Sequence, residues 1–200
     1  AGNTSAATSN FTVIGDTSAP AVAITSAALT NDATPVISGT AEADATVTVV
    51  VAGATYTTTA TSGTWSVDTG SDTPASGTLA VDTNGTNSVS VTATDAAGNT
   101  ATAVTQSLVV DTTAPTAVLS AAMDDVGSVA GALSSGDTTD DTALVLSGTN
   151  EAGSTVEVFD GTTSLGQATV LGTTWTFTAT VADATTYQFN VKETDAAGNT

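Results

Sequence analysis

The sequence predicts an all-β fold of two sandwich domains arranged end to end, and three observations carry that reading. The peptide TDAAGNT occurs at Thr94–Thr100 and again at Thr194–Thr200, with its tail AGNT at Ala1–Thr4. A second motif, Asp16-Thr-Ser-Ala-Pro20, returns as Asp111-Thr-Thr-Ala-Pro115. The resulting period, about 95 to 100 residues, is too long for a solenoid repeat and suits one small β-sandwich. Third, short stretches such as Thr46–Val49, Ser88–Ala93 and Thr155–Phe159 alternate with period 2, and no stretch shows a useful apolar face at helical period.

Laid side by side, the repeats give a strand map. Strand A follows each proline, at Ala21–Thr25 and Thr116–Ser120; strand B is Pro35–Thr40 and Leu144–Thr149; strand C is Thr46–Val51 and Thr155–Asp160. Trp65 and Trp175 then sit in matching Thr-Trp strands, each two residues before an apolar partner, Val67 or Phe177, which turns both tryptophans inward. Strand F is Ser88–Thr94 and Tyr187–Thr194, and strand G is Ala101–Val110. Turns fall at Ala52–Ala54, Asp160-Gly161 and the two Asp-Ala-Ala-Gly-Asn runs, and Asp82-Thr-Asn-Gly85 reads as a hairpin turn because it is only half of an EF-hand loop. About seven strands per repeat, spaced by turns, is the signature of an immunoglobulin-like sandwich.

The same comparison sets the domain boundaries. Residues 16–110 form the first domain and 111–200 the second, which lacks a G strand of its own. Ser5–Ile14 matches a G strand, so residues 1–15 belong to a preceding repeat. Such ends are expected of a window from a longer array, or of copies that complete each other head to tail through this strand.

Composition narrows function. Twenty acidic residues stand against one basic residue, Lys192, for a net charge of −19, which excludes binding to phosphate backbones and disfavours anionic membranes. One-sided charge of this kind points to a solvated surface or to bound cations. Cysteine and histidine are absent, so disulfides, thiolate or imidazole metal sites and Cys/His catalysis are ruled out. No apolar run approaches the length of a transmembrane helix, and no signal peptide, nucleophile elbow, P-loop or HExxH motif is present. A carboxylate-pair hydrolase needs two acids facing across a cleft, whereas these acids cluster at the loop ends of narrow sandwiches. The chain is expected not to be an enzyme.

The DTTAP-type junctions, the segments Ser38-Gly-Thr-Ala-Glu42 and Ser147-Gly-Thr-Asn-Glu151, the Thr-Trp strands and the TDAAGN turns together resemble the bacterial Ig-like extender repeats of giant, type I-secreted RTX adhesins. The stretch from Asp124 to Gly131 and on to Thr139–Thr142 is similar to that family's acidic A–B segment; the first repeat departs from it, its short connection keeping only Asn31 and Asp32. The resemblance implies a secreted, extracellular, cell-surface protein of cell adhesion and biofilm formation. Its calcium-rigidified filament would project a distal binding domain. The implied partners are neighbouring repeats, with no nucleic acid and no direct membrane contact.

Calcium also follows from the residues. In an Ig-like sandwich the A-strand entry and the B–C and F–G loops share one end, which brings Asp111, Glu151 and Asp195 toward one point, as it does Asp16, Glu42 and Asp95 in the first repeat. Three carboxylates about 5 Å apart repel by several kcal/mol at an effective dielectric of ~20. With one lysine and no arginine, a metal ion or protonation must relieve that, and Ca²⁺ takes oxygen ligands in irregular geometry. Gly198 permits a turn that aims a backbone carbonyl from Ala197–Asn199. A second site is expected at the acidic pairs Asp124, Asp125 and Asp140, Asp141 flanking a Gly/Ser loop. The bland alternative is that these acids are ordinary turn and cap residues. The functional alternative to the extender is an Ig-like binding module for glycan or protein on a surface layer or phage particle, which an exposed aromatic cluster would favour.

Overall fold

Alternating Val, Ile and Thr residues place one apolar and one polar face on each strand, and the strands pair into two sheets per repeat. A computed structural model describes residues 1, 2, 4, 9, 11–127 and 130–200. Among the described residues every regular element is a β-strand. Contacts divide the chain into two compact units: 1–27, 34–80 and 87–107 form one, and 28–33, 81–86 and 108–200 form the other.

In the first repeat, β1 (Val22–Ile24), β3 (Val36–Ala41) and β6 (Thr64–Asp68) make a three-stranded sheet in the order β1-β3-β6. The second sheet comprises β2 (Leu29–Thr30), β4 (Thr46–Val51), β5 (Ala54–Thr59), β7 (Ser76–Gly77), β8 (Asn84–Thr94) and β9 (Val104–Asp111), ordered β2-β9-β8-β4-β5-β7. Only the two-residue pairing of β2 with β9 is parallel among the paired registers. Ala52 and Gly53, both with positive φ, make the two-residue turn from β4 to β5. The inward positions Ile37, Val47, Val49, Tyr56, Trp65, Val67, Val89 and Val91 are buried.

The second repeat has one sheet of β10 (Val118–Asp124), β11 (Gly131–Ala132), β12 (Ala143–Thr149), β15 (Thr169–Leu171) and β16 (Thr174–Thr180), ordered β11-β10-β12-β16-β15. The other is β13 (Thr155–Asp160), β14 (Thr163–Gln167) and β17 (Phe189–Thr194), ordered β14-β13-β17. Leu146, Trp175 and Ala179 from the first sheet pack with Val156 and Val158 from the second, so the core lies between them. Both tryptophans are buried, as their alternation requires.

The segment Asp82–Gly85 is not a hairpin turn. Asp82 Oδ1 accepts the Asn84 N–H, and β8 starts at Asn84 itself. Its Asx-type bond bends the chain into the long strand without reversing it. The G strand expected at Ser5–Ile14 falls partly outside the described residues. Within it Phe11, Val13 and Ile14 are exposed and lie in no strand.

Candidate functional site

The F–G turn rests on the same aspartate–asparagine bonds in both repeats, with one further bond to the aspartate in the second. In the first, Asp95 Oδ1 accepts the Asn99 N–H, Oδ2 accepts the Asn99 side-chain amide at 2.8 Å, and Asp95 N–H donates to Asn99 O. In the second, Asp195 Oδ1 accepts N–H groups from Gly198 and Asn199, and Oδ2 accepts Asn199 Nδ2 at 2.8 Å. Gly198, at φ +97, supplies the left-handed step the turn needs.

The asparagine then reaches out of the turn. Asn99 Nδ2 donates to the Asp16 carbonyl at 3.2 Å, and Asn199 Nδ2 donates to the Asp111 carbonyl at 2.8 Å. One amide therefore joins the F–G aspartate to the backbone of the DT(S/T)AP segment, twice, at equivalent positions. Each linker aspartate closes its own Asx turn: Asp16 Oδ1 accepts from Ser18 N–H, and Asp111 Oδ1 from Thr113 N–H. The second linker is held once more. Asn84 Oδ1 accepts from Thr112 N–H, Thr112 Oγ1 and Thr113 Oγ1 at 3.0–3.2 Å. Neither this role of Asn84 nor that of Asn99 and Asn199 was expected. The usable signal was an Asn four residues after each F–G aspartate in both repeats.

These bonds set the electrostatics. The Asn99 side chain, with backbone N–H groups of the turn, holds the Asp95 carboxyl below its ordinary range against the opposing effect of burial. For Asp195, burial is the largest single influence and pushes upward, but hydrogen bonds from Asn199, Gly198 and Ala197 together outweigh it and the net direction is down. Both groups are thus kept as anions beside a carbonyl oxygen.

The remaining junction acids are placed less tightly. The Glu42 and Glu151 side chains are exposed. Their backbones close the B–C turns, Glu42 O accepting Ala45 N–H and Glu151 O accepting Ser154 N–H. Asp195 and Asp111 meet through Asn199, and Asp95 and Asp16 through Asn99. Among the described residues no group of three or more acids is close enough to hold a metal ion.

In the A–B segment of the second repeat, Thr139 links Asp124 to the backbone of Asp141. Asp124, 2% exposed, accepts Val126 N–H on Oδ1 and Thr139 Oγ1 on Oδ2. Thr139 Oγ1 also accepts the Asp141 N–H. Asp141, 4% exposed, accepts Ala143 N–H on Oδ1, while its Oδ2 is buried without a hydrogen-bond partner. Asp140 is exposed and its carboxylate lies over Gly127, where a Cβ would collide with it; Asp125 is exposed. Asp124 and Asp141 are thus two buried carboxylates, the second with an open oxygen, in a chain whose single basic residue is Lys192.

Residues 21–112 and 115–200 each match the family of the bacterial Ig-like domain. No curated protein matches the chain.

Proposed function

We propose that this chain, which belongs to the bacterial Ig-like domain family through both of its repeats, is an extender segment of a secreted cell-surface adhesin or filament whose junctions are stiffened by Ca²⁺. Domains of this family are generally non-enzymatic structural or binding modules of extracellular or surface proteins. The observation that carries the extender reading is the recurrent asparagine tie, Asn99 to Asp16 and Asn199 to Asp111. A fold needs no such bond to close its core. A module whose orientation on the chain matters does need its linker fixed to one of its own loops. The buried positions of Tyr56, Trp65 and Trp175 support the same reading, because these three aromatics serve the cores and not a recognition surface.

Calcium at the linkers would be held by the carboxylates of Asp111 and Asp195, and of Asp16 and Asp95, with the exposed Glu151 and Glu42 within the same loop ends. In the A–B segment Asp124 and Asp141 would supply the inner oxygens and Asp125 and Asp140 the outer ones. Support comes from the open Asp141 oxygen and from the lack of basic side chains. Neighbouring repeats are the partners. Among the described residues strand β17 pairs on one side only, with β13. The exposed Phe11, Val13 and Ile14 are the kind of apolar residues that a strand added to such an edge would bury, in the next repeat or in another copy.

The test is small-angle scattering of the whole chain in millimolar Ca²⁺ and in EGTA, with circular dichroism on the same samples. Chelation is expected to leave the β signal intact and to change the maximum dimension, because strand pairing does not depend on the linker metal and the course of residues 110–116 does. An unchanged scattering profile would exclude the stiffening mechanism.

A further inference from the structure

A buried polar group in the second repeat has no counterpart in the first. Asn150, Ser154 and Glu193 are 7%, 6% and 4% exposed, and the equivalent residues of the first repeat are Ala41, Ala45 and Ala93, equally buried. The frames superimpose by register. Val47 pairs with Ala93 as Val156 pairs with Glu193, and Ala45 N–H donates to Glu42 O as Ser154 N–H donates to Glu151 O. One backbone thus encloses three methyl groups in one repeat and an amide, a hydroxyl and a carboxylate in the other.

The polar trio is connected but short of donors. Glu193 Oε1 accepts the Glu151 N–H at 2.6 Å and lies in hydrogen-bond contact with Ser154 Oγ. Ser154 Oγ also contacts Glu151 O at 2.7 Å, so its single proton faces two acceptors. The Asn150 amide cannot be turned over: Nδ2 faces Glu151 O, Ser154 Oγ and Gly172 O, and an oxygen there would repel both carbonyls. Its Oδ1 is therefore fixed as an acceptor, and it is buried without a partner; Glu193 Oε2 is likewise buried without one. Two open oxygens, on groups that share Ser154 Oγ, remain in the interior. The carboxylate has no neutralising side chain, since Lys192 projects from the opposite face of β17, exposed where Glu193 is buried.

A buried anion without a counter-charge is strongly unfavourable. We propose that Glu193 Oε2 and Asn150 Oδ1, with Ser154, hold a hard, oxygen-seeking cation inside the second repeat, separate from the linker and A–B acids, and that the first repeat lacks this site. Calcium and sodium share the required chemistry: oxygen ligands only, one carboxylate, and coordination completed by neutral oxygens.

The test uses the full chain, E193Q, and the triple variant N150A/S154A/E193A. That variant installs the first repeat's own alanines in the same frame and so keeps a packing the fold already uses. Bound ions are counted after dialysis into Ca²⁺ in a sodium-free buffer, and thermal unfolding of the second repeat is followed by Trp175 fluorescence in a W65F background. A parallel series contains sodium and chelator. The wild type is expected to hold one more ion per chain than either variant, in one of the two series, and its second repeat to show a larger cation-dependent melting shift than either variant. Loss of the linker and A–B ions alone would refute the reading under Proposed function and leave this extra ion in place. Equal ion counts and equal cation-dependent shifts in wild type and E193Q, in both series, would overturn the internal site.

Discussion

Substituting Gly148 with alanine should unfold the second repeat far more readily than a single methyl group ordinarily does. The Ser-Gly-Thr segment recurs at Ser38–Thr40 and Ser147–Thr149, and in both the glycine is a strand residue, in β3 and β12. A Cβ on Gly148 would run into Val118 O and would sit 2.8 Å from both Cζ2 and Nε1 of Trp175, where ordinary contact begins at 3.4 Å. At Gly39 the obstacles are equivalent, Ala23 O and Trp65 Cζ2 at 2.7 Å. The glycine is therefore the floor on which the core tryptophan lies and across which the first strand passes.

Neither obstacle yields cheaply. Trp175 is 1% exposed and has nowhere to swing, and moving Val118 disturbs the β10–β12 ladder where Val118 pairs with Thr149 and Leu119 with Gly148. Overpacking a core costs about 1–3 kcal/mol, and each backbone hydrogen bond disturbed adds about 1 kcal/mol. Alanine regains roughly 0.5–1 kcal/mol through its lower chain entropy. The net loss is about 2–3 kcal/mol, a large share of the roughly 5–15 kcal/mol that stabilises a domain. At about 4–8 °C per kcal/mol for a domain of this size, the midpoint should fall by on the order of 10–20 °C. Each repeat has one tryptophan, so the assay is thermal melting by fluorescence, with W65F as background for G148A and W175F for G39A. If G148A melted within about 2 °C of its parent, β10 would have to slide aside freely, and the steric account of the motif would be wrong.

Two further outcomes follow from the site. Asp111→Ala or Asp195→Ala should weaken junction calcium tenfold or more in a calorimetric titration. Asp68→Ala and Asp72→Ala should leave it unchanged, because those two acids are spent on their own turn, accepting from Gly70 N–H, Ser71 Oγ and Asp68 N–H; equal effects of both pairs would reduce the binding to diffuse screening. In chelator, the F–G ties should depend on pH in one direction. The folded Asp95 and Asp195 are held below the ordinary carboxylate range, so their contribution is complete above the unfolded value of about 3.9 and is lost as pH falls through the lower folded value. The Asn99 and Asn199 side-chain amide resonances should stay shifted down to about pH 4 and collapse only below it; collapse above pH 5 would contradict the arrangement.

What the sequence made legible was whatever repeated. The paired Thr-Trp strands and the C strands lie where the alternation put them, because a period of two allows no other orientation once one face is buried. Strand β5, Ala54–Thr59, escaped notice because four of its six residues are threonine and only Ala54 and Tyr56 mark an inward face. Strands β2, β7 and β11 are two residues each, too short for any periodic signal. At the F–G turn the charge of the aspartate is legible in the sequence, whereas the bond to the linker is made by a neutral asparagine four residues on, whose type carries no charge signal. Glu193 was legible in principle: it falls in phase with Phe189 and Val191, an acid on the apolar face of its strand.

The two repeats act as controls for each other, and this separates what the module requires from what one copy adds. The glycine under the tryptophan, the Asp-Ala-Ala-Gly-Asn turn and the asparagine bond to the preceding linker occur in both, so they belong to the common task of folding a sandwich and fixing it to the chain. The A–B acids around Thr139 and the interior trio of Asn150, Ser154 and Glu193 occur only in the second repeat. Their first-repeat counterparts are a short connection and three alanines, which complete the same fold without burying charge. For Glu193, the sandwich therefore does not require a carboxylate inside, since the alanine version is available and carries no desolvation penalty. A carboxylate that the fold does not need is what the proposed internal cation accounts for, since Glu193 Oε2 and Asn150 Oδ1 are buried without a hydrogen-bond partner.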